Sequence, residues 1–324
     1  MTNQPDPQQE SMVDAIVIGR NEGARLMACL ASLQGQVRQI IYVDSGSQDG
    51  SVQVAQDIGA TVIRLDMVQP FTAARARNAG LAEVTDAEFV QFVDGDCEVR
   101  NGWVAVGLGC LRAQPNVAVV CGRRREKYPG ASVYNRLCDL EWNTPVGAAM
   151  ACGGDALMRV APVTQIGGYR ETLIAGEEPE LCLRLRQSGW KIWRLDAEMT
   201  LHDAQLLQFS QWFKRSRRAG HAYAEGAYLH GRPPERHWVK ETHRALVWGL
   251  GLPIMAVLLP FGLWLLAIYP LQVLRLGLRY RGQGPAPWAR AFFAMLGKFP
   301  EAVGVVEFHW NRLRGRRTGL LEYK

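Results

Sequence analysis

Apolar residues follow two rhythms over the first two hundred positions. Short, mainly apolar runs at Val13 to Ile18, Ile40 to Val43, Thr61 to Leu65, Phe89 to Val93 and Val117 to Cys121 read as strands, and Phe89 to Val93 reads as one buried in a sheet. Between them, Ala24 to Leu33 repeats leucine at 26, 30 and 33, and Val52 to Ile58 and Pro70 to Leu81 also read as helices. Strand and helix in alternation predict an α/β fold, a mostly parallel sheet flanked by helices. Ligands of such sheets collect beyond the carboxyl ends of the strands. The polar residues that end each apolar run are therefore where chemistry is to be sought.

Phe89 to Val93 ends in Asp94-Gly95-Asp96. Two carboxylates around a glycine at a strand end are hard oxygen ligands suited to Mg²⁺ or Mn²⁺ held together with phosphates. An ordinary Asp-Gly turn is the bland alternative. The second strand runs into Asp44-Ser45-Gly46-Ser47-Gln48-Asp49-Gly50-Ser51, a turn fit to read hydroxyls and amides or simply to cap a helix. On the helix from Pro70, Arg75 and Arg77 are placed to reach a diphosphate; a surface salt bridge is the alternative for each and the preferred reading for Arg75. Neither a G-x-G-x-x-G after the first strand nor a P-loop occurs, so a nucleotide would be held by strand-end carboxylates and a metal.

Asn21-Glu22, Asp44-x-Gly-Ser-x-Asp49-Gly-Ser, Ala-Arg77-Asn78-Ala-Gly80 and Phe-Val-Asp94-Gly-Asp96, in this order, resemble family 2 glycosyltransferases of the GT-A fold. The family's usual proline before the Asn segment is replaced by Gly19-Arg20. The resemblance implies a nucleotide-sugar site of Asn21, Glu22, Asp44, Asp49, Arg77, Asn78, Asp94 and Gly95. It implies a DXD-type metal site of Asp94 and Asp96, completed by His202, and a loop at Gly153 and Gly154 beneath sugar and acceptor. Gly176-Glu177-Glu178-Pro179-Glu180, followed by a helix with Arg184, Leu185 and Gly189, is similar to the family's catalytic acidic cluster. Glu178 stands where aspartate is usual and is expected to be the base, with Glu177 beside it. Acidic residues and proline also suit a helix start on their own account. The implied reaction is an inverting transfer of sugar from a nucleoside diphosphate sugar to a hydroxyl acceptor. Two rivals are a sugar-1-phosphate nucleotidyltransferase and a non-catalytic membrane scaffold. The first should carry a Gly-rich basic loop after the first strand, and the second has no need of two acidic clusters.

Charge and composition change the picture mainly at the C-terminal end. The 324 residues carry a formal +6, with 48% hydrophobic residues, an ordinary globular composition. Seven scattered cysteines without C-x-x-C and a polar Met1 to Ser11 suit reduced thiols, no signal peptide and a cytoplasmic catalytic part. The basic run from Gly122 to Lys127 is read as a solvated loop. Phe209 to His221 mixes aromatic and basic residues, and residues 245–274 then carry no formal charge but contain Pro253, Pro260 and Pro270. That order points to anionic membrane lipid and not nucleic acid. Arginines on both flanks and the prolines suit a re-entrant or broken segment at the inner membrane's cytoplasmic leaflet, with an amphipathic segment over 288–310. The expected division is a GT-A domain over 12–230 and a membrane-associated helical region over 231–324, acting on a lipid-linked saccharide.

Overall fold

The computed structural model describes residues 12–316. The reading of Met1 to Ser11 and the end of the region expected over 231–324 fall outside them. Two compact units are formed. The first takes in the chain up to Pro129 together with Glu141–Leu173 and Glu177–Ala204. The second takes in Gly130–Leu140, Ile174–Gly176 and the chain from Gln205.

Unit 1 is built on β1 (Val13–Gly19), α1 (Ala24–Leu33), β2 (Gln39–Asp44), α2 (Ser51–Asp57), β3 (Thr61–Arg64), α3 (Ala73–Ala82) and β4 (Phe89–Asp94), the alternation that the apolar rhythm predicts. β5 (Cys97–Val99), α4 (Trp103–Ala113), β6 (Val117–Glu126), β7 (Gly147–Ala149), β8 (Ala156–Arg159), α6 (Val160–Gln165), α7 (Glu177–Gln187) and β9 (Lys191–His202) complete it. The helix α5 (Val133–Glu141) falls almost wholly in unit 2. Strand order is β3-β2-β1-β4-β8-β6-β9-β5, with β7 on β9. Strands β3, β2, β1 and β4 are mutually parallel, whereas β8 runs antiparallel to both β4 and β6. The core is the near-continuous apolar run of the central strands, Ile16, Val17, Tyr42, Phe92 and Val119 among them, all essentially buried.

Two strands outrun their apolar stretch. β6 continues through Arg123, Arg124 and Arg125 to Glu126, and β9 continues from Leu195 to His202. The basic run is thus not a solvated loop. Paired with β9, its alternate residues face opposite sides, so Arg124 keeps only 14% of its side chain exposed while Arg125 keeps 41%. Thr72, not Pro70, starts α3, its hydroxyl accepting the Arg75 amide at 3.1 Å.

Unit 2 is helical: α8 (Phe209–His230), α9 (Val239–Leu246), a π-turn at Val247–Gly251, α10 (Leu252–Leu258), a 3₁₀ segment at Gly262–Ala267, α11 (Ile268–Tyr280), α12 (Pro287–Leu296) and α13 (Lys298–Leu313). The apolar stretch 245–274 is divided where its prolines fall. Pro253 sits in the first turn of α10, Pro260 follows that helix, and Pro270 sits in the first turn of α11, where the missing N–H costs least. Among the described residues no helix is long and apolar enough to cross a membrane. The segment 288–310 is two helices that meet at Gly297.

The boundary expected at residue 230 lies nearer 204, because α8 packs on α13. A Cβ at Gly220 would lie 2.0 Å from the Glu301 carbonyl, and one at Gly304 would lie 2.0 Å from the Arg217 carbonyl. Only glycine permits backbones so close. Arg217 adds a two-pronged ion pair to Glu307 at 2.8 Å. The aromatic-basic segment is therefore partly internal, with Trp212 buried against Tyr134 and Phe293.

Candidate active site

Parallel register brings three strand ends together. Gly19 lies opposite Asp44, and Ile18 lies opposite Asp94. The loops leaving β1 and β2 are stitched to each other. Asn21, at φ 55°, donates its N–H to Ser47 Oγ (2.9 Å) and accepts the Gln48 N–H on Oδ1 (2.7 Å). Asp49 accepts from the N–H groups of Gly23 (3.1 Å) and Ser51 (3.0 Å). Asp44 is buried. It accepts the Tyr42 hydroxyl on Oδ1 and the Gly46 and Ser47 amides on Oδ2, an Asx turn that fixes the loop. Glu22 pairs with Arg25 at 2.7 Å. Sequence positions 21, 22, 44 and 49 thus form one rim.

At the centre stands Arg77, 2% exposed. It meets Asp94 Oδ1 at 2.8 Å, Glu177 Oε1 at 2.9 Å and Glu178 Oε1 at 3.0 Å. Burial would lower its pKa, but Glu178, Asp94 and Glu177 outweigh that and keep it charged. A Cβ at Gly154 would lie 2.4 Å from Asp94 Oδ2 and 2.8 Å from Arg77 Nη2, so the backbone there approaches the cluster as only glycine can. Gly153 faces open space. Gly95 donates its N–H to the Ile18 carbonyl at 2.8 Å, tying the acidic turn to the end of β1.

Asn78 is not brought to this cluster. Its amide donates to the Tyr169 carbonyl and Glu171 Oε1 and accepts the Tyr169 N–H, which pins the segment after α6. Arg75 has no salt-bridge partner among the described residues. Its guanidinium donates to the backbone carbonyls of Asp66 and Gln69.

Two residues central to the site were not singled out from sequence. Arg124 donates Nε to Asp155 Oδ2 (2.9 Å) and meets Asp94 Oδ2 through Nη2 (3.2 Å), with its guanidinium over the Trp142 ring. Asp155 is wholly buried. Besides Arg124, it accepts the Asp94 N–H (3.0 Å) and the Thr200 hydroxyl (2.7 Å). A carboxylate immediately ahead of the apolar run of β8 was the available signal.

Beside this, β5 and β9 set Cys97 opposite His202. His202 Nε2 lies 3.1 Å from Asp96 Oδ2, and Nδ1 is buried without a hydrogen-bond partner. Burial, then Arg124, pushes His202 down to about 4, so the ring is neutral and has a lone pair to give. Asp96, Cys97 and His202 offer ligand atoms within 4.8 Å of one another, as do Asp94, Cys97 and Asp155. The two sets share Cys97, whose thiol is pushed well up by burial and stays protonated. The oxygen and imidazole donors fit a hard divalent ion, with Asp94 and Asp96 in adjoining sets. Asp94, Asp155, Glu177 and Glu178 together outnumber the two arginines that hold them, which leaves negative charge for a cation to balance.

The three glutamates that open α7 differ in what they touch. Glu180 is locked by Arg184 and Arg170, and Arg184 also holds the carbonyls of Ile166 and Gly168. Glu177 is buried on Arg77. Glu178 keeps 13% of its side chain exposed, and burial, then the neighbouring Glu177 charge, raises it to about 7 against the pull of Arg77.

A mixed α/β sheet flanked by helices, with acidic residues at the carboxyl ends of its parallel strands, is the GT-A glycosyltransferase architecture. Residues 14–158 match the family model "Glycosyl transferase family 2". A pre-mycofactocin glycosyltransferase of Mycobacterium tuberculosis is 28% identical over 67% of this chain and 48% of its own length. The chain therefore spans about half the length of that relative. The mannosyltransferase PcManGT from Pyrobaculum calidifontis, solved with GDP-Man and Mn²⁺, shares the fold at TM-score 0.66, with 19% identity, 95% of this chain and 90% of the other covered. Staphylococcus aureus TarS residues 1–349 with UDP-GlcNAc superpose at TM-score 0.51, with 15% identity, 94% of this chain and 92% of the other covered.

Proposed function

We propose that the protein is a metal-dependent inverting glycosyltransferase. It moves a sugar from a nucleoside diphosphate sugar to a hydroxyl acceptor, in this reading a lipid-linked saccharide, at the cytoplasmic face of the inner membrane. The observation that carries the reading is the position of Glu178. Of the three glutamates at the start of α7 it alone pairs partial exposure with a pKa of about 7. Arg77 binds it and Asp94 through the same nitrogen.

A general base works best when its pKa lies near the operating pH. Glu178 accepts the proton of the acceptor hydroxyl as the oxygen attacks the anomeric carbon from the face opposite the leaving diphosphate. Arg77 positions Glu178 and Asp94 relative to each other, and Arg124 with Asp155 fixes Asp94 from its other side. Asp44 and Asp49 shape the rim against which a nucleoside is read. A bound Mg²⁺ or Mn²⁺, held by Asp96 and His202 with Asp94 adjoining, would supply Lewis-acid stabilisation of the leaving diphosphate. The exposed apolar surface of unit 2 supports the lipid-linked acceptor and the membrane location.

The test offers UDP-glucose, UDP-N-acetylglucosamine and GDP-mannose with Mn²⁺ and assays nucleoside diphosphate release. Release that EDTA abolishes is expected with at least one donor. Pyrophosphate formed from a nucleoside triphosphate and a sugar 1-phosphate would identify a nucleotidyltransferase instead. Neither product would leave a scaffold.

A further inference from the structure

Unit 2 has an open hollow of about 440 Å³ whose wall carries Arg244, Arg275, Arg279 and Lys298 with Trp248 and Tyr280. Lys298 pairs with Glu301 at 2.5 Å, the one carboxylate in the wall. Among the described residues, no carboxylate lies within ion-pair distance of Arg244, Arg275 or Arg279. Three arginines thus line one hollow without an ion-pair partner of their own among the described residues. The scaffold that holds them is tight. A Cβ at Gly277 would lie 2.2 Å from the Trp288 ring, so the α11 backbone packs directly on that ring of α12, and the Tyr269 hydroxyl donates to the Trp248 carbonyl.

The surroundings of the cavity say what kind of anion it suits. On α11, Arg275 and Arg279 lie one turn apart, and Leu271, Leu274 and Leu278 occupy the adjoining stripe, exposed. A basic stripe along the margin of an exposed apolar one is how a helix lies in a lipid–water interface. Directly before α11, the 3₁₀ segment and its approach present Phe261 at 87% exposure and Trp264 at 79%. Exposed apolar surface of this extent marks an interaction site, and unmatched arginines beside it select a partner that is apolar below and anionic above.

We infer that this cavity binds the phosphate headgroup of an anionic membrane phospholipid while Phe261, Trp264 and the α11 leucines enter the acyl region. The inference rests on the membrane-attachment part of the proposed function and gives that attachment a site. Among the described residues no helix is long and apolar enough to cross a membrane.

The test is flotation of the full chain with phosphatidylcholine vesicles, with and without phosphatidylglycerol. Binding is expected only with the anionic lipid. Arg275→Gln/Arg279→Gln should weaken it roughly 30-fold, since each basic residue at an anionic surface contributes roughly 5-fold. Arg275→Lys/Arg279→Lys should retain most of it. Phe261→Ser/Trp264→Ser should also release the protein. A control, Arg314→Gln/Arg316→Gln, removes the same charge from exposed positions outside the cavity and should cost much less. Equal losses in the two arginine pairs would show diffuse attraction and overturn the site, as would no vesicle binding at all. Tight binding of inorganic phosphate unaffected by Trp264→Ser would make it a soluble-anion site, and DNA binding as strong as vesicle binding would make it a nucleic-acid surface. Nucleoside diphosphate release, measured on the same variants, keeps the transferase reading separate. Activity without vesicle binding sinks the site alone, and vesicle binding without activity sinks the transferase alone.

Discussion

Arg77 in unit 1 is buried, Arg124 keeps 14% of its side chain exposed, and both bridge carboxylates that come from different elements, whereas Arg244, Arg275 and Arg279 in unit 2 are exposed and have no ion-pair partner among the described residues. A buried guanidinium has lost its water and must be compensated by the protein. Asp94, Asp155, Glu177 and Glu178 do so, and the result is a fixed geometry. An exposed one keeps its water and stays available to an outside anion. The same residue type thus organises a reaction centre in one unit and waits for a partner in the other.

The comparison is tested most severely at Glu178, the least constrained acid on Arg77. Glu178→Gln keeps size and hydrogen-bonding reach but cannot take a proton. The expected loss is roughly 10²–10⁴-fold in kcat with donor affinity nearly unchanged. Donor KM and single-turnover rates check it, and a larger loss in Glu177→Gln would move the base by one residue.

Removing the buried charge itself comes next. Arg77→Met leaves Asp94, Glu177 and Glu178 crowded without their cation, and the expected cost is about 3–5 kcal/mol of stability. Arg275→Gln in unit 2 should stay within about 0.5 kcal/mol, as exposed substitutions do. Urea unfolding of both variants decides. Similar costs would mean that the burial contrast has no energetic counterpart.

A pH series sharpens the contrast further. The Glu178 carboxyl is raised from 4.5 to about 7, so the base is protonated at mild acidity. Activity should climb roughly tenfold per pH unit and level off above about 7. The stability contribution runs the other way. It is fully present below the ordinary carboxyl range and is lost as pH rises through about 7, because the fold favours the protonated form. Glu178→Gln should abolish both trends. A wild-type stability that rises between pH 5 and 7 in that comparison would assign the titration to another group.

What the sequence disclosed depended on how local each signal was. Asp94 and Asp96 were legible because charge follows an apolar strand without a gap, and Asp44 and Asp49 because turn residues cluster at the next strand end. Glu178 was visible chiefly through resemblance, since a helix start explains acidic residues equally well. Arg124 escaped because its place in a strand depends on β9, some seventy residues later, whose Thr200 lies opposite it. Asp155 escaped with it, being the buried partner of an arginine read as solvated. The boundary between the units depends on Gly220 meeting the Glu301 backbone, a contact that no local pattern announces.

Arg75 offers the smallest and finest test, because it lies on the same helix as Arg77 yet has neutral partners. Its Nη atoms donate to the carbonyls of Asp66 (2.7 Å) and Gln69 (3.1 Å), which closes the loop ahead of α3. Hydrogen bonds to a charged donor contribute about 1.5–3 kcal/mol when sheltered, and this side chain is only partly sheltered, so Arg75→Ala should cost about 1 kcal/mol. An ion pair to a carboxylate would be screened over a Debye length of ~10 Å at about 0.1 M salt, falling to ~3 Å at about 1 M. Carbonyl partners carry no net charge, so the cost of Arg75→Ala should be nearly the same at both salt levels. Unfolding free energies of wild type and variant in the two buffers give the answer. If the cost shrinks by half or more in high salt, Arg75 is held by a carboxylate in solution, and the neutral-partner assignment fails.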